Sequence, residues 1–142
     1  IIGNHSWSHP NIIKLSNRKA LKEFLDAEKF IKKQAGYAPT LIRSPYGSLD
    51  REKVELFRDK GYKIIAWNVD SLDWKGLSAA EVKTNVLENM QQGSIILQHS
   101  SGGVGEDLSG TVEALDGIIR VLKKDGYRFV TVDKLLDLSY KK

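Results

Sequence analysis

The 142-residue sequence contains no cysteine, so it can form neither a disulfide nor a thiolate metal site. Cysteine usage therefore does not indicate whether the protein works in an oxidising or a reducing compartment. It also lacks long hydrophobic runs. Wholly apolar stretches such as Ile95–Leu97 last only a few residues, which excludes a bilayer-spanning helix. We expect no signal peptide within it. The chain starts on apolar residues without an initiator methionine, and we therefore expect it to be the interior of something longer.

The length and composition predict one domain large enough to bury a hydrophobic core, because 41% of the 142 residues are hydrophobic and 28% are charged. The net charge of +4 could suit an anionic partner such as a cell-wall polymer or nucleic acid. Much of the excess lies in residues 14–33, where seven basic residues face three acids at helical spacing. A solvated helix face is the favoured interpretation, since no nucleic-acid-binding motif accompanies the charge.

The chain alternates between predicted strands and predicted helices, which indicates an α/β fold. Near-continuous apolar strands separated by helices of this length are typical of parallel strands buried on both faces. Either a (β/α) barrel or an open doubly wound sheet fits the pattern. Helices are predicted at 18–34 (N-cap Asn17, stop Gly36), 50–60, 78–92, 109–124 and from 133; strands at 40–42, 62–69, 94–98 and 128–132, with an apolar stub at 1–3.

Chemically unusual residues follow these strands directly, and we expect them to share one face. The carboxyl ends of parallel strands lie on the same side of the fold, where loops from several strands build active sites. A structural protein would scatter such residues. The residues concerned are His5, His9, Arg43, Tyr46, Asp70, Asp73, Trp74 and His99.

His5 and His9 are four residues apart, so on one helical turn both imidazoles would point the same way toward a metal. Such a pair needs at least one further protein ligand and an open position for water. His99 is the candidate general acid, and Asp73 could hydrogen-bond its protonated form. Arg43 could orient a carboxylate base.

Each of these residues also has an ordinary structural interpretation. Two histidines at this spacing are, taken alone, more often plain polar residues than ligands. Arg43 could form a salt bridge, Asp73 could cap a turn, and Trp74 could be a core residue rather than a flat wall for a sugar. Asp70 is interpreted as a turn residue.

Three competing enzyme motifs are absent. A helical zinc protease is excluded because Ser6 replaces the glutamate of H-E-x-x-H and Pro10 directly follows the second histidine. The glycines at 102–103 lack the lysine and spacing of a phosphate loop, and no G-x-S-x-G elbow occurs.

Four ordered motifs resemble those of the polysaccharide deacetylases of the NodB-homology type, carbohydrate esterase family 4. Residues 5–9 (H-S-W-S-H) match H-S/T-x-x-H, and residues 43–46 match R-x-P-Y. Residues 70–74 (D-S-L-D-W) match D-x-x-D-W, and residues 97–99 (L-Q-H) match L-x-H. Residues 126–132 resemble the last strand of the family. The match covers essentially the whole chain in the right order.

The resemblance implies a metal-dependent hydrolase that removes acetyl groups from N-acetylglucosamine units of peptidoglycan, chitin or a related glycan. His5 and His9 would then bind a divalent metal, zinc or cobalt. His99 would protonate the departing amine with Asp73 behind it, and Arg43 would orient the catalytic base.

The substrate-binding residues follow from the same resemblance. Tyr46, next to Pro45, would supply a backbone N–H to the oxyanion. Leu97 and Trp74 would line the acetyl pocket. The product could be an amine or, with an O-acetyl substrate, a hydroxyl. The family also implies an extracellular or bacterial cell-wall location.

One family motif has no counterpart in this sequence. T-F-D-D-G carries the base aspartate and a third metal ligand on the first strand of the family's barrel. The resemblance therefore implies an incomplete (β/α)7-type deformed TIM-like barrel with about five parallel strands. Residues 1–142 would be the C-terminal, larger part of one catalytic domain. A missing amino-terminal segment or another chain would complete the barrel.

Two alternatives to an enzyme remain. One is a non-catalytic glycan- or metal-binding module derived from the same fold. The other is a structural domain with chance polar residues, which four ordered motifs disfavour. Retention of both His99 and Asp73 favours the enzyme, since simple glycan binding needs no acid with a hydrogen-bonded partner.

Overall fold

Five α-helices and four two-residue parallel strands form the structure, a computed structural model that describes residues 1–142. The chain divides into two units. The first unit contains residues 1–66 and 133–142, and the second contains residues 67–132. Each unit has its own pair of strands and its own apolar core.

Capping residues fix the helix ends in the first unit. Helix α1 spans Asn17–Ala35 and stops where Gly36 takes a left-handed conformation with φ 78°, which costs glycine little. Helix α2 spans Arg51–Asp59. The Asp50 side chain accepts the Lys53 backbone N–H at 2.8 Å and so satisfies one donor at the start of α2.

In the second unit, side-chain capping fixes the start of one helix, α3. Helix α3 spans Ala79–Asn89, and its start is a capping box in which Ser78 and Glu81 bond each other's backbone N–H. Helix α4 spans Ser109–Lys124. The short helix α5, Val132–Leu136, begins at the end of this unit and continues into the first.

The strands pair in parallel within each unit. In the first, β1 (Leu41–Ile42) pairs with β2 (Lys63–Ile64), and an isolated bridge adds Asn4 beside Ile42. In the second, β3 (Val69–Asp70) pairs with β4 (Ile96–Leu97). Polar residues that follow these strands are thereby brought together within each unit.

Each sheet packs against helices through a separate apolar cluster. In the first unit Phe24 of α1 and Phe57 of α2 meet edge to face, with ring centroids 4.6 Å apart. Their cluster consists of Ile12, Ala20, Phe24, Ile42, Phe57 and Tyr62. The cluster of the second unit consists of Val69, Val82, Val86, Ala114, Ile118 and Leu122.

The predicted α/β class is confirmed, but the predicted set of about five strands is wrong in detail. The stub at 1–3 contributes only the Asn4 bridge. Residues 128–132 form no strand, and 128–131 are exposed without a paired neighbour. Over the predicted strand 62–69 the structure has β2 and the start of β3, which pair with different partners. Strand formation depends on partners distant in sequence, which a local pattern does not supply.

Two local expectations are also wrong. Asn17 is the first residue of α1, not its N-cap, and its side chain donates to Glu52 at 2.5 Å. The N-cap position belongs to Ser16. Residues 5–9 form a loop, not a helical turn, because Ser6 and His9 have positive φ.

No helix is both long and apolar enough to cross a membrane.

Candidate functional site

The loop from His5 to His9 brings its two imidazoles together without a helix. Asn4 bridges Ile42 of β1, so His5 emerges beside Arg43, the residue that follows β1. The two rings lie edge to face, with centroids 5.0 Å apart. Two imidazoles bound through nitrogen to one tetrahedral zinc would have ring centres roughly 5 Å apart. The pair therefore fits two ligand positions of a single metal.

A backbone contact fixes the orientation of His5. Its Nδ1 lies 2.6 Å from the carbonyl oxygen of Arg43. A carbonyl can only accept, so Nδ1 carries the proton and Nε2 is the lone-pair nitrogen of the neutral ring. Histidine ligands are typically oriented by such a bond from the opposite ring nitrogen. The local chemistry suits a metal ligand.

The pair is not a complete metal site. No group of three or more His, Cys, Asp or Glu side chains in residues 1–142 is arranged to hold a metal ion. The donor set thus supplies two nitrogens, where a zinc site takes three or four protein ligands.

Arg43, Pro45 and Tyr46 stand next to the histidine loop in the same unit. The Tyr46 ring packs edge to face on His9, with centroids 4.8 Å apart, and 68% of the residue is exposed. Pro45 is buried. Burial of the Arg43 side chain lowers the pKa of its guanidinium. The structure thus brings together all five candidate residues of this unit.

Backbone strain is concentrated in these motifs. Five non-glycine residues have positive φ: Ser6, His9, Tyr46, Leu72 and Asp137. Four of the five lie in the H-S-W-S-H, R-S-P-Y and D-S-L-D-W motifs. Such conformations cost of order 1 kcal/mol or more and persist where surrounding contacts hold them, which is characteristic of functional loops.

In the second unit, Asp73 and His99 form a hydrogen-bonded pair. Asp73 follows β3 and His99 follows β4, so pairing of these strands places the two residues side by side. His99 Nδ1 lies 2.8 Å from Asp73 Oδ1, and the His99 backbone N–H donates to Asp73 Oδ2 at 2.7 Å. Asp73 is only 1% exposed.

Thr111 completes this cluster and is a residue that sequence reasoning missed. Its hydroxyl donates to Asp73 Oδ2 at 2.8 Å. Burial favours the neutral carboxyl, but the hydrogen bonds from His99 and Thr111 outweigh burial and hold the pKa of Asp73 below its usual value. The signal in the sequence was a lone hydroxyl on the apolar stripe of α4, in register with Ala114 and Ile118.

The remaining candidates of the second unit occupy different environments. Trp74 is 45% exposed, and the Lys75 ammonium lies 5.1 Å from its ring centroid, so the alternative of a core tryptophan is wrong. Leu97 of β4 is buried. Asp70 is the last residue of β3, and its Oδ1 accepts the Leu72 N–H at 2.9 Å, so its side chain stabilises the turn that follows the strand.

Comparison with known proteins identifies the chain's relatives. A family model for polysaccharide deacetylase matches residues 1–65. The peptidoglycan-N-acetylglucosamine deacetylase of Bacillus cereus is 42% identical over 139 residues, which covers 98% of this chain and 50% of the relative. The chain therefore spans half the length of this curated relative.

Solved structures of polysaccharide deacetylases and a related pseudoenzyme also superpose on this chain. A crystal structure of a peptidoglycan N-acetylglucosamine deacetylase superposes with a TM-score of 0.95 at 41% identity, covering 100% of this chain and 65% of that one. A carbohydrate esterase family 4 pseudoenzyme from Bacillus anthracis superposes with a TM-score of 0.86 at 31% identity, covering 95% and 46%. As the ordered motifs predicted, this chain belongs to the polysaccharide deacetylase family of the NodB-homology type.

Proposed function

We propose that this chain is the C-terminal, larger part of a catalytic domain that removes N-acetyl groups from polysaccharide containing N-acetylglucosamine. Peptidoglycan is the first substrate to test, because the Bacillus cereus relative and a similar solved structure are deacetylases of that polymer. A chitin-like glycan is the second. The observation that carries the proposal is the buried Asp73 carboxylate bonded to His99.

That pair suits the protonation of a leaving group. Cleavage of an acetamide expels an amine, and the amine nitrogen must gain a proton as the C–N bond breaks. The protonated His99 ring donates from Nδ1 to Asp73 and offers its second proton at Nε2. Thr111 and the His99 backbone N–H keep the carboxylate ionised and fixed, so it stabilises the imidazolium.

His5 and His9 would supply two ligands of a divalent metal, with zinc the first candidate and cobalt the second. When bound, such a metal lowers the pKa of a coordinated water and polarises the substrate carbonyl. Because these residues provide only two nitrogens, we propose that a further carboxylate ligand and the catalytic base come from outside residues 1–142. An amino-terminal segment or another chain would supply them.

The remaining candidate residues of each unit have proposed roles of their own. Arg43 would orient the catalytic carboxylate, and the backbone N–H of Tyr46, after Pro45, would stabilise the oxyanion. Trp74 and Leu97 would bind the acetyl group and its sugar. From this proposed substrate, we also propose that the whole protein acts outside the cell or in the bacterial cell wall.

Acetate release tests this proposal. The substrate is peptidoglycan or acetylated chitooligosaccharide, and the enzyme is the chain with and without the segment upstream of Ile1, in the presence of zinc or cobalt. We expect acetate from the longer protein only, and loss of most of it with His99→Gln. Asp116→Asn, an exposed acid of α4, is the matched control. Full activity of His99→Gln would refute the proton-donor role.

A non-catalytic glycan-binding module is the second candidate. The two-histidine donor set favours it, and one of the similar solved structures is a pseudoenzyme of the same family. This candidate predicts that the longer protein binds chitooligosaccharides in calorimetry and releases no acetate with either metal. Measurable acetate release would exclude it.

A further inference from the structure

We propose that Glu23, on helix α1, is the positioning residue that holds the loop carrying His5 and His9. Its carboxylate reaches this loop at three points. Oε2 accepts the backbone N–H of Trp7 at 3.1 Å and that of Ser8 at 2.8 Å, and Oε1 accepts the Ser8 hydroxyl at 2.9 Å. No motif of the sequence assigns Glu23 a role.

The loop depends on side chains for its backbone hydrogen bonds. Four consecutive N–H groups, from Ser6 to His9, are each accepted by a side-chain oxygen. Ser6 N–H donates to Asn4 Oδ1 at 3.0 Å, and His9 N–H donates to Ser6 Oγ at 3.1 Å. The middle two donate to Glu23. Of the three accepting residues, Asn4, Ser6 and Glu23, only Glu23 comes from another element.

Charge makes this contact specific. Consecutive N–H groups beside residues with positive φ form a concave, positively polarised surface that binds anions. Ser6 and His9 have φ of 68° and 57°, so the loop has this form, and the Glu23 carboxylate occupies it. Charge-assisted hydrogen bonds of this type are roughly twice as strong as neutral ones.

Helix α1 gives Glu23 a rigid base. Ala20, Phe24 and Ala27 of this helix are buried in the core, and Glu23, beside them, is partly buried. The other end of the loop is tied to the same helix, since Asn4 Nδ2 donates to the Phe24 carbonyl at 2.8 Å. The separation of the two imidazoles is therefore set from α1.

This inference rests on the proposed function, in which His5 and His9 bind a metal. Loosening of the loop would leave the two rings without a fixed separation, and metal affinity would fall. Removal of groups that orient metal ligands typically weakens affinity by about 10- to 100-fold. Glu23 contributes through His5 and His9, and it needs no contact with metal or substrate.

The experiment compares Glu23→Ala and Glu23→Gln with the parent chain. Asp26→Ala is the matched control, because it removes an acid of the same helix that forms only a surface pair with Lys22. Two quantities are measured: amide hydrogen exchange of Trp7 and Ser8 without metal, and the zinc dissociation constant by calorimetry. His5→Ala and His9→Ala define the affinity that depends on the histidines.

For Glu23→Ala we expect faster exchange of the Trp7 and Ser8 amides, and zinc binding weakened about 10-fold or more. Glu23→Gln should fall between, because its amide oxygen still accepts the two N–H groups while its NH₂ can donate to Ser8 Oγ. Asp26→Ala should match the parent in both measurements. If Glu23→Ala fails to fold, Glu23→Gln decides.

Parent-like exchange in a folded Glu23→Ala variant would overturn the positioning role. So would faster exchange with unchanged histidine-dependent zinc affinity. Failure of the proposed metal site looks different: the parent and His5→Ala would bind zinc equally, while amide exchange would still report whether Glu23 holds the loop.

Discussion

Replacing Asp73 by asparagine should separate the stability of the second unit from its chemistry. Asp73 has nearly the volume of asparagine, is 1% exposed, and accepts three hydrogen bonds through two oxygens. The asparagine carbonyl can keep the His99 backbone N–H and the Thr111 hydroxyl. Its NH₂ then faces His99 Nδ1, where the wild-type chain has an acceptor. The imidazole must shift its proton to Nε2 to accept there.

The magnitude follows from the bonds lost. A hydrogen bond to a charged group contributes about 1.5–3 kcal/mol, and the tautomer change restores part of one such bond, so Asp73→Asn should cost about 1–2 kcal/mol. Asp73→Ala removes all three acceptor contacts and leaves buried donors, at about 3–5 kcal/mol. Activity of the longer protein should nevertheless be lost in both variants, because neither keeps the carboxylate that stabilises protonated His99, and Asp73→Asn also favours the wrong tautomer.

The pH dependence has a definite sign. The pKa of Asp73 is lowered in the folded chain, since hydrogen bonds outweigh burial. Its ionised form therefore stabilises the fold fully above the unfolded value of about 3.9, and this contribution is lost as the pH falls through the folded pKa. The stability difference between parent and Asp73→Asn should shrink below about pH 4.

The assays are urea unfolding from pH 3 to 7 and ¹⁵N NMR of the histidine ring. The expected spectrum shows the proton of neutral His99 on Nδ1 in the parent chain and on Nε2 in Asp73→Asn. An unchanged tautomer, or a stability difference that grows as the pH falls from 4 to 3, would refute the reasoning.

The other predictions concern helix α4 and the same carboxylate. Gly110→Ala should destabilise by about 1–3 kcal/mol in urea unfolding, because its Cβ would lie 2.1 Å from the Leu77 carbonyl oxygen, a backbone atom. Gly117→Ala, on the same helix, meets only the movable Lys83 side chain and should be neutral or stabilising by up to about 1 kcal/mol; equal effects of the two changes would contradict the packing. Thr111→Val should cost about 1 kcal/mol and raise the pKa of Asp73, so acid unfolding should begin at higher pH; an unshifted acid midpoint would exclude the Thr111 bond.

Helix positions could be predicted from the sequence because their determinants are local. Gly36 stops α1, and Asp50 and Ser78 start α2 and α3 through contacts within three residues. The strands depend on partners about twenty residues or more away, such as Leu41 with Lys63. The sequence alone therefore predicts one strand over 62–69, where the structure has β2 and the start of β3 with separate partners.

The candidate site shows the same division. His5, His9 and His99 could be predicted as site residues because imidazole is a typical metal ligand and general acid, and because their motifs are contiguous in the sequence. Thr111 and Glu23 are ordinary residue types whose role comes from a contact 38 residues away in one case and 15–16 in the other. Both lie on or beside an apolar helix stripe, where a polar side chain indicates a hydrogen-bond partner in another part of the fold.

Metal dependence of acetate release is the most direct test of the central claim. The longer protein is treated with a chelator, assayed on peptidoglycan, and assayed again after zinc or cobalt is added. We predict that acetate release stops with the chelator and returns with the metal, and that His5→Ala needs far more metal for the same rate. Acetate release that is indifferent to the chelator, or absent from every acetylated glycan with either metal, would contradict the account.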